Sequence, residues 1–225
     1  MRTIKMIIRV IAGGVGLVGL YLIFGIVLDT YVFPAPPLNY ANYFKPGDKL
    51  ESRFEGFDQT IFNVNGDWLQ TRLEIRPHAA GPPEHFHEGF AETFAVKSGT
   101  LSVLVAGQKK TVRAGETVTV PPMTPHRPFN ETDEIVVIES TDPRSIPTKF
   151  GYVLSQLYGF MDTFENGPST RQIVLQLSTY GDDADTWIAN GPSLSMQKAM
   201  RVVLAPTARL LGYKNYYPQF RPHGN

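Results

Sequence analysis

The chain has 225 residues, with 21 basic and 21 acidic side chains, five histidines and no cysteine. That length holds one medium domain with appendages. The balanced charge argues against a nucleic-acid surface, and the lack of thiols excludes both a disulfide framework and thiolate chemistry.

The N-terminus opens with Arg2, Lys5 and Arg9, then runs from Val10 to Leu28 without a charge. At ~1.5 Å per residue this run nearly spans a ~30 Å hydrocarbon core. No polar face interrupts it, so a buried helix of a soluble domain fits poorly. A cleaved signal peptide has a shorter apolar core of ~7–15 residues and a small-x-small cleavage site. Asp29 to Phe33 offers no such site, which favours an uncleaved anchor. The basic residues before the run predict a single-pass protein with its N-terminus in the cytoplasm and all that follows Leu28 on the extracytoplasmic side. Tyr31 and Phe33 suit an interfacial aromatic belt. Gly13, Gly14, Gly16, Gly19 and Gly25 would let another helix approach closely. Residues 1–33 are therefore read as a cytoplasmic start plus a transmembrane helix.

Residues 34–58 form a linker and lead-in. Pro34-Ala35-Pro36-Pro37 is a stiff, extended spacer. The aromatics Tyr40, Tyr43, Phe44, Phe54 and Phe57 are expected to pack on the wall of the next domain.

From 59 to 142 the pattern is one of short strands. Thr60 to Val64 is followed by Asn65-Gly66, a hairpin signal, and by a return strand from Trp68 to Arg76. In that strand Leu69, Thr71, Leu73 and Ile75 alternate with Gln70, Arg72, Glu74 and Arg76. The polar row is ordinarily the solvated one. In a ligand-binding barrel some of it faces the cavity, which makes Arg72 a speculative substrate contact. Further strands are read at Phe90–Val96, Thr100–Val105, Lys109–Arg113, Thr117–Val120 and Glu134–Ser140, with turns at Ser98-Gly99, Ala106-Gly107-Gln108 and Ala114-Gly115-Glu116. Strands so short and so closely spaced indicate an antiparallel sandwich or barrel. Leu101, Val103 and Val105 would fill its core.

Within this region three of the five histidines fall in a suggestive pattern. His85 and His87 are two apart, so on a strand both point to one face. Glu92, five residues on, would face the other way along an unbroken strand. A turn must intervene, and Gly89 is where the backbone can make it. His126 arrives from a distant part of the sheet. Three imidazoles and a carboxylate form a mixed nitrogen–oxygen ligand set for one divalent ion, and Fe, Mn, Ni, Co and Zn all suit it. Glu84 and Glu88 read as solvated acids.

These residues carry a resemblance to the cupin superfamily. The first cupin motif is matched by Gly81, His85, His87, Glu92 and Gly99, and the second by Gly115, Pro121, His126 and Asn130. Two departures stand out: Gly81 sits two residues closer to the histidines than the pattern has it, and Met123 replaces a glycine. The resemblance covers residues 59–142. It implies a mainly β fold, a double-stranded β-helix or jelly-roll barrel, with His85, His87, Glu92 and His126 as metal ligands. It also implies a small-molecule ligand in the barrel and, as in many cupins, pairing into homodimers.

Residues 143–225 read as a helical C-terminal extension, with helices over 148–165, 170–180 and Leu194 to Leu211. Ser193 or Ser195 would cap the last helix, and Pro206 would kink it. This tail either packs on the barrel or lies on the membrane as a basic amphipathic helix. Similar cupins are dioxygenases, isomerases or decarboxylases on small oxygenated molecules, which sets up the expectation of a membrane-anchored, metal-dependent enzyme. The alternative is a non-catalytic sugar- or metabolite-binding or structural metal module of a membrane complex. No convergent acid or base beside the ligands is identifiable in the sequence, so no catalytic residue is assigned.

Overall fold

The computed structural model describes residues 2–32 and 38–223. Phe33 and the spacer Pro34-Ala35-Pro36-Pro37 lie outside the described residues. In chain order the strands are β1 (Lys49–Ser52), β2 (Phe57–Asn65), β3 (Trp68–Ile75), β4 (His85–Phe86), β5 (Glu92–Ser98) and β6 (Thr100–Val105). They continue with β7 (Gln108–Arg113), β8 (Thr117–Val120), β9 (His126–Phe129), β10 (Val136–Glu139), β11 (Ile146–Pro147) and β12 (Trp187–Ile188). The helices are α1 (Arg2–Val27), α2 (Thr148–Met161), α3 (Thr170–Ser178) and α4 (Leu194–Leu210).

The strands form two antiparallel sheets. One is seven-stranded, ordered β1-β2-β3-β10-β5-β8 with β11 beside β3; the other is five-stranded, ordered β12-β4-β9-β6-β7. The expected barrel is not closed. No strand is shared between the sheets, and side chains rather than a continuous ladder hold them together. Period-2 alternation supplies that filling. Phe94, Val96, Val136 and Ile138 from the first sheet meet Leu101, Val103 and Val112 from the second in one buried cluster. The aliphatic row Leu101, Val103 and Val105 lies where the alternation places it.

Turn chemistry sets the registers. Asn65 pairs with Trp68, so the two turn residues are Gly66 and Asp67, one position later than Asn65-Gly66. Gly66 has φ +59°, the positive angle that a tight hairpin turn requires at its first position.

A second buried cluster lies further along the same inward row of β3, where Leu69 stands six residues from Ile75 of the first. There Tyr43 and Phe44 of the lead-in, Ile61 and Leu69 of the sheet, and Tyr152 and Val153 of α2 pack together. Among its polar members, the Tyr43 hydroxyl lies 3.0 Å from Ser155 Oγ, and Gln156 Nε2 donates to Tyr43 Oη at 2.9 Å. Both buried hydroxyl-bearing groups are therefore satisfied. The lead-in aromatics pack on the domain wall, Phe54 being an exposed exception.

The extension is bound into this framework. Helices α2 and α3 fall within the ranges expected from periodicity, each ending a few residues sooner. Ser169 and Gln172 form a reciprocal capping box at the start of α3, satisfying two otherwise orphaned donors. Ser193 caps α4, whose interior holds Pro206. β12 adds to the five-stranded sheet by pairing Trp187 with Phe86 and Ile188 with His85.

Helix α1 continues through a π-helical turn at Leu28–Val32 and is long and apolar enough to cross a membrane by length and composition. It meets the rest of the chain at its C-terminal end. Tyr21 Oη donates to Val203 O at 2.7 Å, and Gly25 faces Pro206 so closely that a Cβ there would lie 2.3 Å from Pro206 Cγ. Of the five glycines in the apolar run, Gly25 is the one that a neighbouring helix approaches within 4 Å.

Gly151 in α2 shows how tightly the second core is packed. A Cβ there would lie 2.5 Å from Leu69 Cδ1 and 3.3 Å from Phe44 Cε2, and both neighbours are buried. Gly151→Ala gains up to ~1 kcal/mol of helix propensity, but overpacking costs typically ~1–3 kcal/mol. A net loss of about 1–2 kcal/mol is expected, seen as a lowered midpoint in denaturant unfolding. An unchanged or raised midpoint would show that Leu69 yields freely.

Candidate metal centre

The second sheet brings the histidines together. β4 ends at Phe86 and β9 begins at His126, and His85 is the direct cross-strand partner of His126. His87 follows β4. The chain then turns through Glu88 and Gly89, and β5 opens with Glu92. The turn is where the sequence placed it, but it is held from outside. The Asp185 carboxylate accepts hydrogen bonds from Glu88 N and Gly89 N, both at 2.7 Å.

Each imidazole is oriented by its far nitrogen. His85 Nδ1 lies 2.9 Å from Pro83 O, His87 Nδ1 2.5 Å from Asp185 O, and His126 Nδ1 2.9 Å from Thr124 O. Carbonyl oxygens only accept, so Nδ1 carries the proton in all three rings and leaves Nε2 free as a lone-pair donor. The Glu92 carboxylate lies 2.8 Å from His126 Nε2 and 3.3 Å from His87 Nε2. One ligand atom from each of His85, His87, Glu92 and His126 lies within 4.8 Å of the others. Two ligands each ~2.1 Å from one ion lie at most ~4.2 Å apart. The four ligand atoms thus converge on one point, and a modest inward shift of the side chains would close them on an ion. The donor set fits a divalent metal, with three neutral imidazoles, one carboxylate and a fixed tautomer at every ring.

The electrostatics agree. His126 and His87 are 1 and 2% exposed, and His85 is 8% exposed. Burial, followed by the neighbouring His87 and His126, pushes His85 down to about 3, so this ring is neutral at ordinary pH. Burial opposes ionisation of Glu92, but the adjacent His126 and His87 rings outweigh it and hold the carboxyl well below its usual range. Burial lowers His126, yet the Glu92 carboxylate lifts it above its ordinary value overall.

Met123 occupies the position where the resemblance expects glycine, and it keeps glycine's conformation at φ 62°. Its N–H donates to His87 O at 2.7 Å, tying the two motif loops together. The side chain is exposed, so the departure leaves the ligands undisturbed. Asn130, the last residue of the second motif, is buried and donates to Ile75 O, Arg76 O and Glu134 O. It acts as a loop staple.

Arg72 is not brought to the site. Its side chain is 47% exposed and pairs with Glu74 at 3.1 Å and Glu139 at 3.7 Å. It belongs to the outward row of β3, while Leu73 of the inward row lines the cavity. The expected substrate contact is therefore corrected to a surface ion-pair residue. Glu84 and Glu88 are engaged outside the ligand cluster, with Asn190 and Lys198 respectively.

The site opens into an internal cavity of about 90 Å³. His85, His87 and Glu92 line it with Glu55, Gln59 and Tyr158, and α2 covers it with Phe150, Leu154 and Leu157. Sequence reasoning missed three residues here. Glu55 lies in the lead-in, Tyr158 in α2, and Asp185 in the extension. Each is distant in sequence from the motifs and has no spacing signal. Arg201 of α4 holds the loop that carries Asp185, donating to Gly181 O, Ala184 O and Thr186 O, with its guanidinium 3.7 Å above the Trp187 ring.

Comparison with known proteins gives one family match. Residues 71–141 match the model of the cupin domain, which supports the cupin superfamily for that part of the chain. No curated protein matches the chain. Among solved structures, KdgF from Halomonas sp. is 22% identical, with 41% of this chain and 83% of that one covered at a TM-score of 0.36. A Streptomyces PAC13 variant with uridine is 18% identical over 46% of this chain and 83% of that one, TM-score 0.36. A cupin-2 domain containing protein from Shewanella frigidimarina is 23% identical over 36% and 74%, TM-score 0.32.

Glu55 is 7% exposed, and burial pushes its carboxyl up to about 7 despite a hydrogen bond from Tyr158. Its proton affinity is raised on folding, so its cost is absent below the unfolded value of 4.5, grows as pH rises and is complete above about 7. That cost is about 3 kcal/mol. Glu55→Gln is expected to unfold at higher denaturant than the parent at pH 8, and the difference should shrink toward zero by pH 4. A difference independent of pH would rule out the buried carboxyl as its source.

Proposed function

We propose that the chain is a membrane-anchored, metal-dependent enzyme of the cupin kind, acting on a small oxygenated molecule by dioxygenase-, isomerase- or decarboxylase-like chemistry. The observation that carries this reading is the convergence of His85, His87, Glu92 and His126, with the imidazole tautomers set, at the wall of a small cavity. His85, His87, Glu92 and His126 would hold one divalent ion of Fe, Mn, Ni, Co or Zn. That ion would act as a Lewis acid on a substrate oxygen. The chain's own residues do the rest. Phe150, Leu154 and Leu157 exclude bulk water, and Asp185 fixes the turn between His87 and Glu92.

The anchor reading is supported by the length and composition of α1 and by the face it shares with α4. Val202, Val203, Leu210 and Leu211 are exposed beside the point where Tyr21 and Gly25 meet that helix. With α1 in a bilayer, those side chains lie at its surface, which favours the membrane-facing reading of the tail. The basic residues Arg2, Lys5 and Arg9 support an orientation with the N-terminus in the cytoplasm and the cupin domain outside.

Two measurements test the proposal. The full-length chain purified in detergent should carry about one metal ion, and His85→Ala combined with His87→Ala should abolish it, since removing such ligands typically costs orders of magnitude in affinity. Equal metal content in the double variant would sink the ligand assignment. Metal retention without turnover of any small keto, hydroxy or phenolic acid would instead favour the binding-module alternative. For topology, a phosphatase reporter that is active only outside the cytoplasm, fused after Asn225, should be active. Activity of a cytoplasm-dependent reporter at the same position would reverse the orientation.

A further inference from the structure

The cavity beside the ligands contains a second set of polar groups that the metal reading does not use. Most of its wall is apolar, formed by Phe57, Leu73, Pro82, Phe150, Val153 and Leu157. Against that wall, Glu55 and Tyr158 are 7% and 5% exposed and are hydrogen-bonded to each other. No ion pair among the described residues includes Glu55. Gln59, also lining the cavity, is occupied by a bond from its Nε2 to Thr71 Oγ1 at 2.8 Å. A carboxyl group buried without a cation is costly, and nothing in the packing of the lead-in turn calls for one. The turn is closed by Glu55 N donating to Ser52 Oγ and by Gly56 N donating to Ser52 O, neither of which uses the Glu55 side chain.

We propose that Glu55, supported by Tyr158, is the proton-exchanging group of this cavity, facing a small oxygenated molecule bound between it and the histidine cluster. The inference rests on the metal reading above. The cavity is about 90 Å³, against ~30 Å³ per water in the liquid. It therefore admits roughly three waters, or a molecule of roughly four non-hydrogen atoms. A larger substrate requires α2 to move. In the forward step, an O–H or acidic C–H bond of the bound molecule breaks. Its electron pair stays on the molecule, and the proton moves to a Glu55 oxygen; the reverse step returns it. Tyr158 keeps its own proton throughout and donates to the carboxylate. Its hydroxyl is held far above its ordinary value by burial and by Glu55.

The groups around Glu55 are accounted for. Tyr158 is its hydrogen-bond partner. Asp162 at the end of α2 raises Glu55 slightly and is itself engaged by Arg53 N and Phe54 N. Glu92, His85 and His87 share the cavity. A general acid–base works best when its proton affinity lies near the working pH, and burial pushes Glu55 up to about 7.

The test uses the full-length, zinc-loaded chain in detergent, with acetate as the probe. Acetate binding is measured by calorimetry in two buffers of different ionisation enthalpy, which counts protons taken up. An anion bound beside Glu55 raises its proton affinity, so uptake of roughly half to one proton per acetate is expected at pH 7–8. Glu55→Gln should still bind zinc and acetate, with uptake near zero. Tyr158→Phe should keep the uptake but move it to higher pH, because the lost hydrogen bond favoured the carboxylate. Zinc retained with proton uptake unchanged in Glu55→Gln would overturn this inference alone. So would zinc retained with no acetate binding or no proton uptake in the parent chain. Failure of the parent chain to bind zinc would overturn the metal reading and this inference together.

Discussion

Everything at the centre of this molecule depends on three ring N–H groups, each given to a backbone carbonyl. His85, His87 and His126 donate from Nδ1 to Pro83, Asp185 and Thr124. Each bond fixes which nitrogen is protonated and which way the ring faces. Without them, a buried imidazole would be free to turn or change tautomer, and the three Nε2 atoms would not converge on Glu92. Two of the three carbonyls sit two residues before the histidine they orient. The third, Asp185 O, comes from the C-terminal extension. One of the four clustered side chains is thus held by a part of the chain outside the cupin match.

That dependence changes how the extension is understood. It covers the cavity with α2, contributes β12 to the sheet beside His85, and holds the His87–Glu92 turn through Asp185. Arg201 reaches from α4 into the loop before β12, satisfying three carbonyls at once, and its cation lies on the Trp187 ring. A buried guanidinium is tolerable when its donors are occupied and an aromatic face receives its charge. The route from α1 through α4 to the ligand turn is a continuous set of contacts: Tyr21 with Val203 and Thr207, Arg201 with the loop, and Asp185 with Glu88 and Gly89.

The cavity combines opposed demands. Its apolar wall excludes water and strengthens every electrostatic interaction inside it. The same wall makes Glu55 costly and drives its proton affinity upward. The carboxylate of the histidine cluster, Glu92, shares that cavity, yet His126 and His87 hold it ionised. Two carboxyl groups lining one space are driven in opposite directions, one by pairing and the other by lack of a cation. Pairs of this kind separate a ligand or electrostatic role from a proton-exchanging one.

The local sequence determined a good deal. Period-2 alternation and turn residues set most strands and the Leu101–Val105 core row, because inward and outward positions are dictated by the pleat. The spacing of His85, His87 and Glu92 around Gly89 carried the ligand cluster, and capping residues with apolar spacing located the helices. The chain's apolar start marked α1 for the same reason, since length and composition alone decide it. Other features came only from the tertiary structure. Arg72 pointed outward because its neighbours on β3 claimed the interior, and the hairpin turn moved to Gly66-Asp67 because register is settled by the whole sheet. Glu55, Tyr158 and Asp185 reach the site across roughly thirty to a hundred residues of chain. A contact of that kind leaves no periodicity in the sequence, because it is set by how the lead-in and the extension pack on two sheets that do not close.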